Sequence, residues 1–198
     1  VAKYTAKPVV IAAAATASAA ALASQNSIKE SITQQSEQIT KALNVESKAA
    51  LVMNAATGEV LYAKNTNQSM PIASITKLMT VMVVLDAKLP LDEPIAITEE
   101  DIDRLKNTSS RLSVGTVLSR AELMLLALMS SENRAAHALA RTYTGGTQAA
   151  IAAMNRKASS LGMTQSRFAD GTGLSSSNVA SPKDLVAMVK AANNYPLI

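Results

Sequence analysis

The sequence contains no cysteine. That absence excludes disulfide staples, thiolate catalysis and cysteine-based zinc sites together. Tryptophan is also missing and aromatics make up only 3% of the chain, which removes the material of an aromatic-rich β-sandwich core. No run of Lys and Arg exceeds two residues, and no aromatic side chains interleave with the basic ones. A formal charge of +4 is therefore a solvated surface and not the footprint of a nucleic-acid binder. Histidine occurs once, as His137 among Ala135, Ala136, Ala138 and Leu139. With no Gly-x-Ser-x-Gly elbow in the chain, a Ser-His-Asp triad has no frame. A lone His without carboxylates at ligand spacing makes a poor metal site, so His137 reads as a packing residue and no metal is expected. Gly145-Gly146 and Gly171/Gly173 lack a following Lys-Ser or Lys-Thr, which excludes a phosphate cradle of the P-loop kind.

What is present is aliphatic. Apolar residues form 48% of 198, with Ala, Leu, Val, Ile and nine Met dominating. That is enough for one domain, with or without a subdomain, built of helices around a small sheet. The start of the chain is different. Lys3 and Lys7 precede an uncharged stretch at 8–23 that closes on Ala21-Leu22-Ala23, the small-x-small pattern that signal peptidases cut. The stretch is too short and too rich in Ala, Thr and Ser for a stable transmembrane helix. Residues 1–23 are thus expected to be an export leader and 24–45, rich in Gln, Ser and Asn, a polar linker. An Ala-rich mature helix is the competing reading.

From residue 46 the pattern becomes that of a fold. Apolar runs at 49–54 and 59–63 flank Ala56-Thr57-Gly58, predicting a β-hairpin whose turn uses the positive φ open to Gly58. A helix is expected from Ser74 to about Lys88. It is apolar on nearly every side through Leu78, Met79, Val81, Met82, Val83, Val84 and Leu85, hence buried, with Pro90 as its stop. The segment from 91 to 165 is expected to be mostly helical. Capping patterns stand at Thr98-Glu99-Glu100-Asp101 and Ser119-Arg120-Ala121-Glu122, and there is a break at Ser131-Glu132-Asn133. Residues 163–180 read as a loop or short hairpin, and Ser181-Pro182 opens a last helix. A hairpin beside a buried helix needs more strands to cover it. The expectation is an α+β domain that continues beyond Ile198.

Ser74-Ile75-Thr76-Lys77 begins the most apolar helix of the sequence. Residues three apart share a helix face, so the Ser74 hydroxyl and the Lys77 amine can meet. Burial disfavours the ammonium form of a lysine, and a neutral Lys77 could take the proton that makes Ser74 a nucleophile. Against this stands a capping Ser followed by a solvated Lys, although Lys77 lies on a helix with almost no polar face. Ser-x-Asn occurs three times, at Ser24, Ser131 and Ser176, and only the copy at Ser131 separates two apolar helices. There it either caps a helix or turns polar side chains toward a cleft. Met79, Met82, Met124 and Met129 fall at helical spacing and are core filler.

The run Pro71-Ile72-Ala73-Ser74-Ile75-Thr76-Lys77-Leu78-Met79-Thr80 resembles the active-site signature of low-molecular-mass penicillin-binding proteins. Leu126-Ala127-Leu128-Met129-Ser130-Ser131-Glu132-Asn133 resembles the second motif of that family, and Met154-Asn155, Leu161-Gly162-Met163 and the stretch from Phe168 through Gly173-Leu174 continue the likeness. It covers about 46–198 and is nearest the DD-endopeptidase branch. The resemblance implies a penicillin-binding/β-lactamase-like transpeptidase fold, with an antiparallel sheet, helices and a helical subdomain. It also implies a periplasmic serine DD-peptidase acting on peptidoglycan peptides. In that scheme Ser74 attacks, Lys77 takes its proton, Ser131 relays a proton to the leaving amine and Asn133 holds the substrate amide. β-Lactams would acylate Ser74. No metal or organic cofactor is implied, nor a nucleic-acid partner or a membrane span in the mature chain.

The family's third motif, Lys-Thr-Gly on a cleft-lining strand, is absent from this sequence. That strand would help bind the substrate carboxylate and complete the oxyanion hole. Its absence matches the missing strands, so 46–198 is expected to be a partial catalytic domain. Three alternatives stay open. A DD-carboxypeptidase would trim terminal D-Ala, a β-lactamase would need a Glu-directed deacylating water, and an impaired module would only bind the cell wall.

Overall fold

The computed structural model describes residues 45–198. The expected leader at 1–23 and the linker up to residue 44 lie outside the described residues. The first element is the expected hairpin, β1 (Ala50–Met53) antiparallel to β2 (Val60–Lys64), with Ala50 opposite Lys64 and a register shift at Val52/Met53. Gly58 holds the turn at φ +76°. Two further pairs follow among the described residues. β3 (Met70–Pro71) runs antiparallel to β6 (Val179–Ala180), and β4 (Pro94–Ala96) to β5 (Val117–Ser119). The strands therefore stand as three separate two-stranded pairs. An apolar groove of about 430 Å³ lies between β1 and the last helix, lined by Leu51, Met53, Leu185 and Val189.

Five helices complete the described residues: α1 (Thr76–Asp86), α2 (Arg120–Met129), α3 (Asn133–Arg141), α4 (Gly146–Ser160) and α5 (Pro182–Ala192). α1 is the axis of the fold. Its Met79 and Met82 pack with Met154, Phe168 and Met188 on one side. Its Val81 and Val84 pack with Ile95, Leu123 and Leu139 on the other. Five apolar side chains of this helix are fully buried, each favouring the folded state by about 1.5–3 kcal/mol as an upper figure. The helix ends before Pro90. Lys88 turns left-handed at φ +51°, and that reversal, not the proline, is the stop.

The segment 91–119 departs from expectation. It is mostly loop, holding only β4, one 3-10 turn at Glu99–Asp101 and β5. The capping pattern at Thr98 is real, since the Asp101 carboxylate accepts from the Thr98 N–H at 2.8 Å. It caps a single turn, because Ile102 is already extended at ψ 126°. The pattern at Ser119 caps a true helix: Ser119 accepts from the Glu122 N–H, and Glu122 accepts from the Ser119 N–H at 2.7 Å. Seven apolar residues in a row, 123–129, favour α2 after that cap. Nothing comparable follows Asp101, where Arg104, Lys106 and a run of Asn, Thr and Ser take over.

Candidate active site

Ser74 lies in a 3-10 turn, Ala73–Ile75, that leads directly into α1. Ala73 before it is left-handed at φ +47°, a conformation that costs a non-glycine residue about 1–3 kcal/mol and concentrates at functional sites. Packing holds the turn there. Gly173 approaches so closely that a Cβ on it would sit 1.9 Å from the Ala73 carbonyl oxygen. Ser74 is exposed while Lys77, one turn on, is only 2% exposed. The nucleophile candidate thus faces solvent and the base candidate does not.

The break between α2 and α3 gives the second pair. Ser131 is left-handed at φ +54°, and Glu132 caps α3 by accepting from the Arg134 N–H at 3.2 Å. Capping therefore falls to Glu132, which leaves the Ser131 and Asn133 side chains to face Lys77. The structure brings all four singled-out residues together. Lys77 Nζ lies 3.0 Å from Ser74 Oγ, 3.4 Å from Ser131 Oγ and 2.8 Å from Asn133 Oδ1. The Thr172 carbonyl oxygen, also at 2.8 Å, is the fourth partner.

Those four contacts fix how the amine can work. The Thr172 carbonyl and Asn133 Oδ1 only accept, whereas the two hydroxyls can accept or donate. A neutral Lys77 has two protons, and its two shortest contacts take both. Its lone pair then faces the hydroxyls of Ser74 and Ser131. Burial lowers the Lys77 pKa to about 8, while the Asp170 and Glu132 carboxylates pull weakly the other way. About a tenth of it is neutral at pH 7 by that value.

Sequence reasoning missed the residues that set this geometry. Asp170 folds the loop that offers the Thr172 carbonyl. It accepts from the backbone N–H of Thr172, Gly173 and Ser175 and from the Thr172 hydroxyl. The loop is tied to α1 where the Thr80 hydroxyl donates to the Gly171 carbonyl at 2.8 Å. The signal was available, since Asp followed by Gly, Thr and Ser is how side-chain-closed turns are written. His137 has a partner beyond packing. Its Nδ1 lies 2.8 Å from Oδ1 of Asp101, a buried carboxylate also held by Arg141 at 3.0 Å. A polar hollow of about 590 Å³ opens beside Ser131 and Asn133, lined by Ser109, Ser110, Arg111 and Glu132 as well.

Comparison with known proteins places the chain among DD-peptidases. The chain is 51% identical over 152 residues to a D-alanyl-D-alanine endopeptidase of Pseudomonas aeruginosa, covering 77% of this chain and 49% of that protein. It is 47% identical over 154 residues to one of Escherichia coli, covering 78% and 50%. It spans about half the length of the curated relatives it matches. The Streptomyces K15 DD-transpeptidase crystal structure superposes with a TM-score of 0.71 at 28% identity, covering 78% of this chain and 63% of that one. This likeness bears out the expected fold class, α+β of the penicillin-binding type. Residues 14–198 match the model of the Peptidase_S11 family, described as D-alanyl-D-alanine carboxypeptidase, and the chain belongs to that family.

Proposed function

We propose that this chain carries the acylating centre of a serine-type DD-endopeptidase, which cuts D-amino-acid cross-links of peptidoglycan and binds β-lactams at the same serine. The observation that carries the proposal is the 3.0 Å approach of the buried Lys77 Nζ to an exposed Ser74 Oγ. Ser74 Oγ attacks the carbonyl carbon as its proton passes to Lys77. The C–N bond then breaks and the leaving amine takes a proton through Ser131, which lies 3.4 Å from Lys77 Nζ. Water hydrolyses the ester and restores Ser74. Asn133 and the hollow beside it offer the polar surface for the substrate's peptide strand. A strand bearing Lys-Thr-Gly would complete carboxylate binding and the oxyanion hole.

Relatives at 44–51% identity carry the endopeptidase name, against 29–32% for those named carboxypeptidases. That gradient favours cross-link cleavage. The family's own description keeps trimming of terminal D-Ala as the second reading, and products from cross-linked and linear muropeptides separate the two. We also assign the protein to the periplasm, on the Lys3, Lys7 and Ala21-Leu22-Ala23 leader pattern. Among the described residues no helix is long and apolar enough to cross a membrane.

Intact mass of the chain recovered from the periplasmic fraction, before and after benzylpenicillin, tests the reading. The expected result is a start near Gln25 and one long-lived adduct on the peptide holding Ser74, absent from Ser74→Ala. A folded chain that takes no adduct defeats the proposal for this chain. Rapid loss of the adduct would move it toward a β-lactamase.

A further inference from the structure

Asn133 could face Lys77 with either end of its amide, and the two ends have opposite consequences. With Oδ1 inward it accepts a proton of Lys77 and leaves the lone pair to Ser74. With Nδ2 inward it would donate to that lone pair and compete with the Ser74 hydroxyl. Nothing in the immediate site decides between them. The decision is made further out, in the loop that replaced the expected helix.

Asn133 Nδ2 donates to Thr108 Oγ1 at 2.9 Å. The Thr108 hydroxyl has spent its own proton, donating to Asp103 Oδ2 at 2.7 Å. Asp103 is 8% exposed and takes no proton from solvent at working pH. Burial pushes its carboxyl up, but N–H donors from Lys106, Thr108 and Leu105 and the Thr108 hydroxyl overcome that and hold it at about 2. An ionised carboxylate only accepts, so Thr108 Oγ1 must point its hydrogen at Asp103 and its lone pair at Asn133. That in turn requires Nδ2 outward and Oδ1 toward Lys77. The polarity of the chain runs one way, from Asp103 to the base.

The loop is fastened to α3 so that this chain stays in register. Asp101 holds His137 and Arg141 at its start. Beyond Thr108, Ser110 donates to the Glu132 carboxylate at 2.7 Å, and Arg134 donates to the Leu112 carbonyl at 2.6 Å. Each tie reaches α3 or its cap, the element that also carries Asn133.

We infer that Asp103 and Thr108 are positioning residues that lock the Asn133 side-chain amide with Oδ1 toward Lys77, so that the lone pair of the base is kept for Ser74. The inference rests on the reading of Lys77 as the base, yet its first two tests do not need catalysis. In the full chain, labelled for side-chain NMR, the one Asn133 amide proton donated to Thr108 should exchange with solvent more slowly than those of Asn107. Thr108→Val should abolish that protection and lower the Lys77 titration midpoint, because a freed amide no longer favours the ammonium form. It should also slow acylation by benzylpenicillin roughly three- to tenfold, the range for one lost hydrogen bond. Thr108→Ser, which keeps the hydroxyl, should restore all three. An Asn133 amide that exchanges as fast as Asn107 in the unmodified chain overturns the lock with no variant needed. So does a folded Thr108→Val whose Lys77 midpoint stays where it was. A chain that takes no adduct while its NMR readouts behave as stated would sink the functional reading and leave the lock standing.

Discussion

The loop at 103–108 and the loop at 170–175 follow one plan and serve Lys77 differently. Each is folded around a single aspartate that accepts three backbone N–H groups and a threonine hydroxyl. Each bears on an acceptor of the same amine. The 170–175 loop does so with its own backbone, through the Thr172 carbonyl, and rests on α1 through Thr80 and on the turn before it through Gly173. Its aspartate also acts on Lys77 by charge. The 103–108 loop never touches Lys77. It works through Thr108 and the amide of Asn133, and its fastenings are to α3. One loop places the base and the other orients what the base sees.

That division orders the consequences of mutation. The largest effect belongs to the point where the loops converge. Lys77→Met keeps the volume and the apolar setting but removes the group that takes the Ser74 proton in the proposed reading. Acylation by benzylpenicillin is expected to fall about 10²- to 10⁴-fold, with the chain still folded by circular dichroism. A fall of less than tenfold would mean another group activates Ser74, and the two loops would then be furniture around a bystander.

A paired replacement separates the loops themselves. Asp170→Asn and Asp103→Asn each keep the shape and lose the charge that collects the N–H donors, so both should cost about 2–3 kcal/mol of stability. Their effects on chemistry should differ. Asp170→Asn frees the Thr172 carbonyl and removes a carboxylate that favours the ammonium form of Lys77, so it should slow acylation more and lower the Lys77 midpoint further. Asp103→Asn should resemble Thr108→Val. Melting temperatures with acylation rates on the same samples check this, and equal kinetic losses from equal destabilisation would erase the distinction.

The two loops also mark how far the sequence could be read. α1, with Ser74 and Lys77 at its head, is legible because burial of a helix on all sides leaves a run of apolar residues that no loop would carry. The break at Ser131 is legible because two apolar helices flank it. The hairpin around Gly58 is legible for the same kind of reason, two apolar runs and one turn residue. The 103–108 loop has no such signature. Thr98-Glu99-Glu100-Asp101 is a sound helix start in which Asp101 still accepts from the Thr98 N–H, and the polar run after it does not carry the helix on. Thr108 meets Asn133 across 25 residues of sequence, a separation at which neither periodicity nor turn chemistry has anything to say. His137 reads as a packing residue because its partner, Asp101, lies on a segment whose capping pattern predicts helix.

The smallest effect is the one that needs no mutation. The Lys77 pKa is lowered to about 8 from the ordinary 10.5, with burial as the first cause, and in the proposed reading the neutral form is the one that reacts. Acylation should therefore rise about tenfold per pH unit below 8 and level off above it. The sign is opposite to that of a site whose ammonium form is required. The same depression makes the unfolded chain the better proton binder between about 8 and 10.5, so this group's penalty on folding is relieved as pH rises through that window. Benzylpenicillin acylation followed from pH 6 to 10 reads the first part. In Asp170→Asn the level region should begin at lower pH, because a carboxylate favouring the ammonium form is gone. In Asp103→Asn it should move the same way by a smaller step, as the Lys77 midpoint does in Thr108→Val. A profile that is flat across pH 8, or that moves equally in both variants, would mean the charge of the 170–175 loop does not reach the base and the two loops differ only in where they are tied.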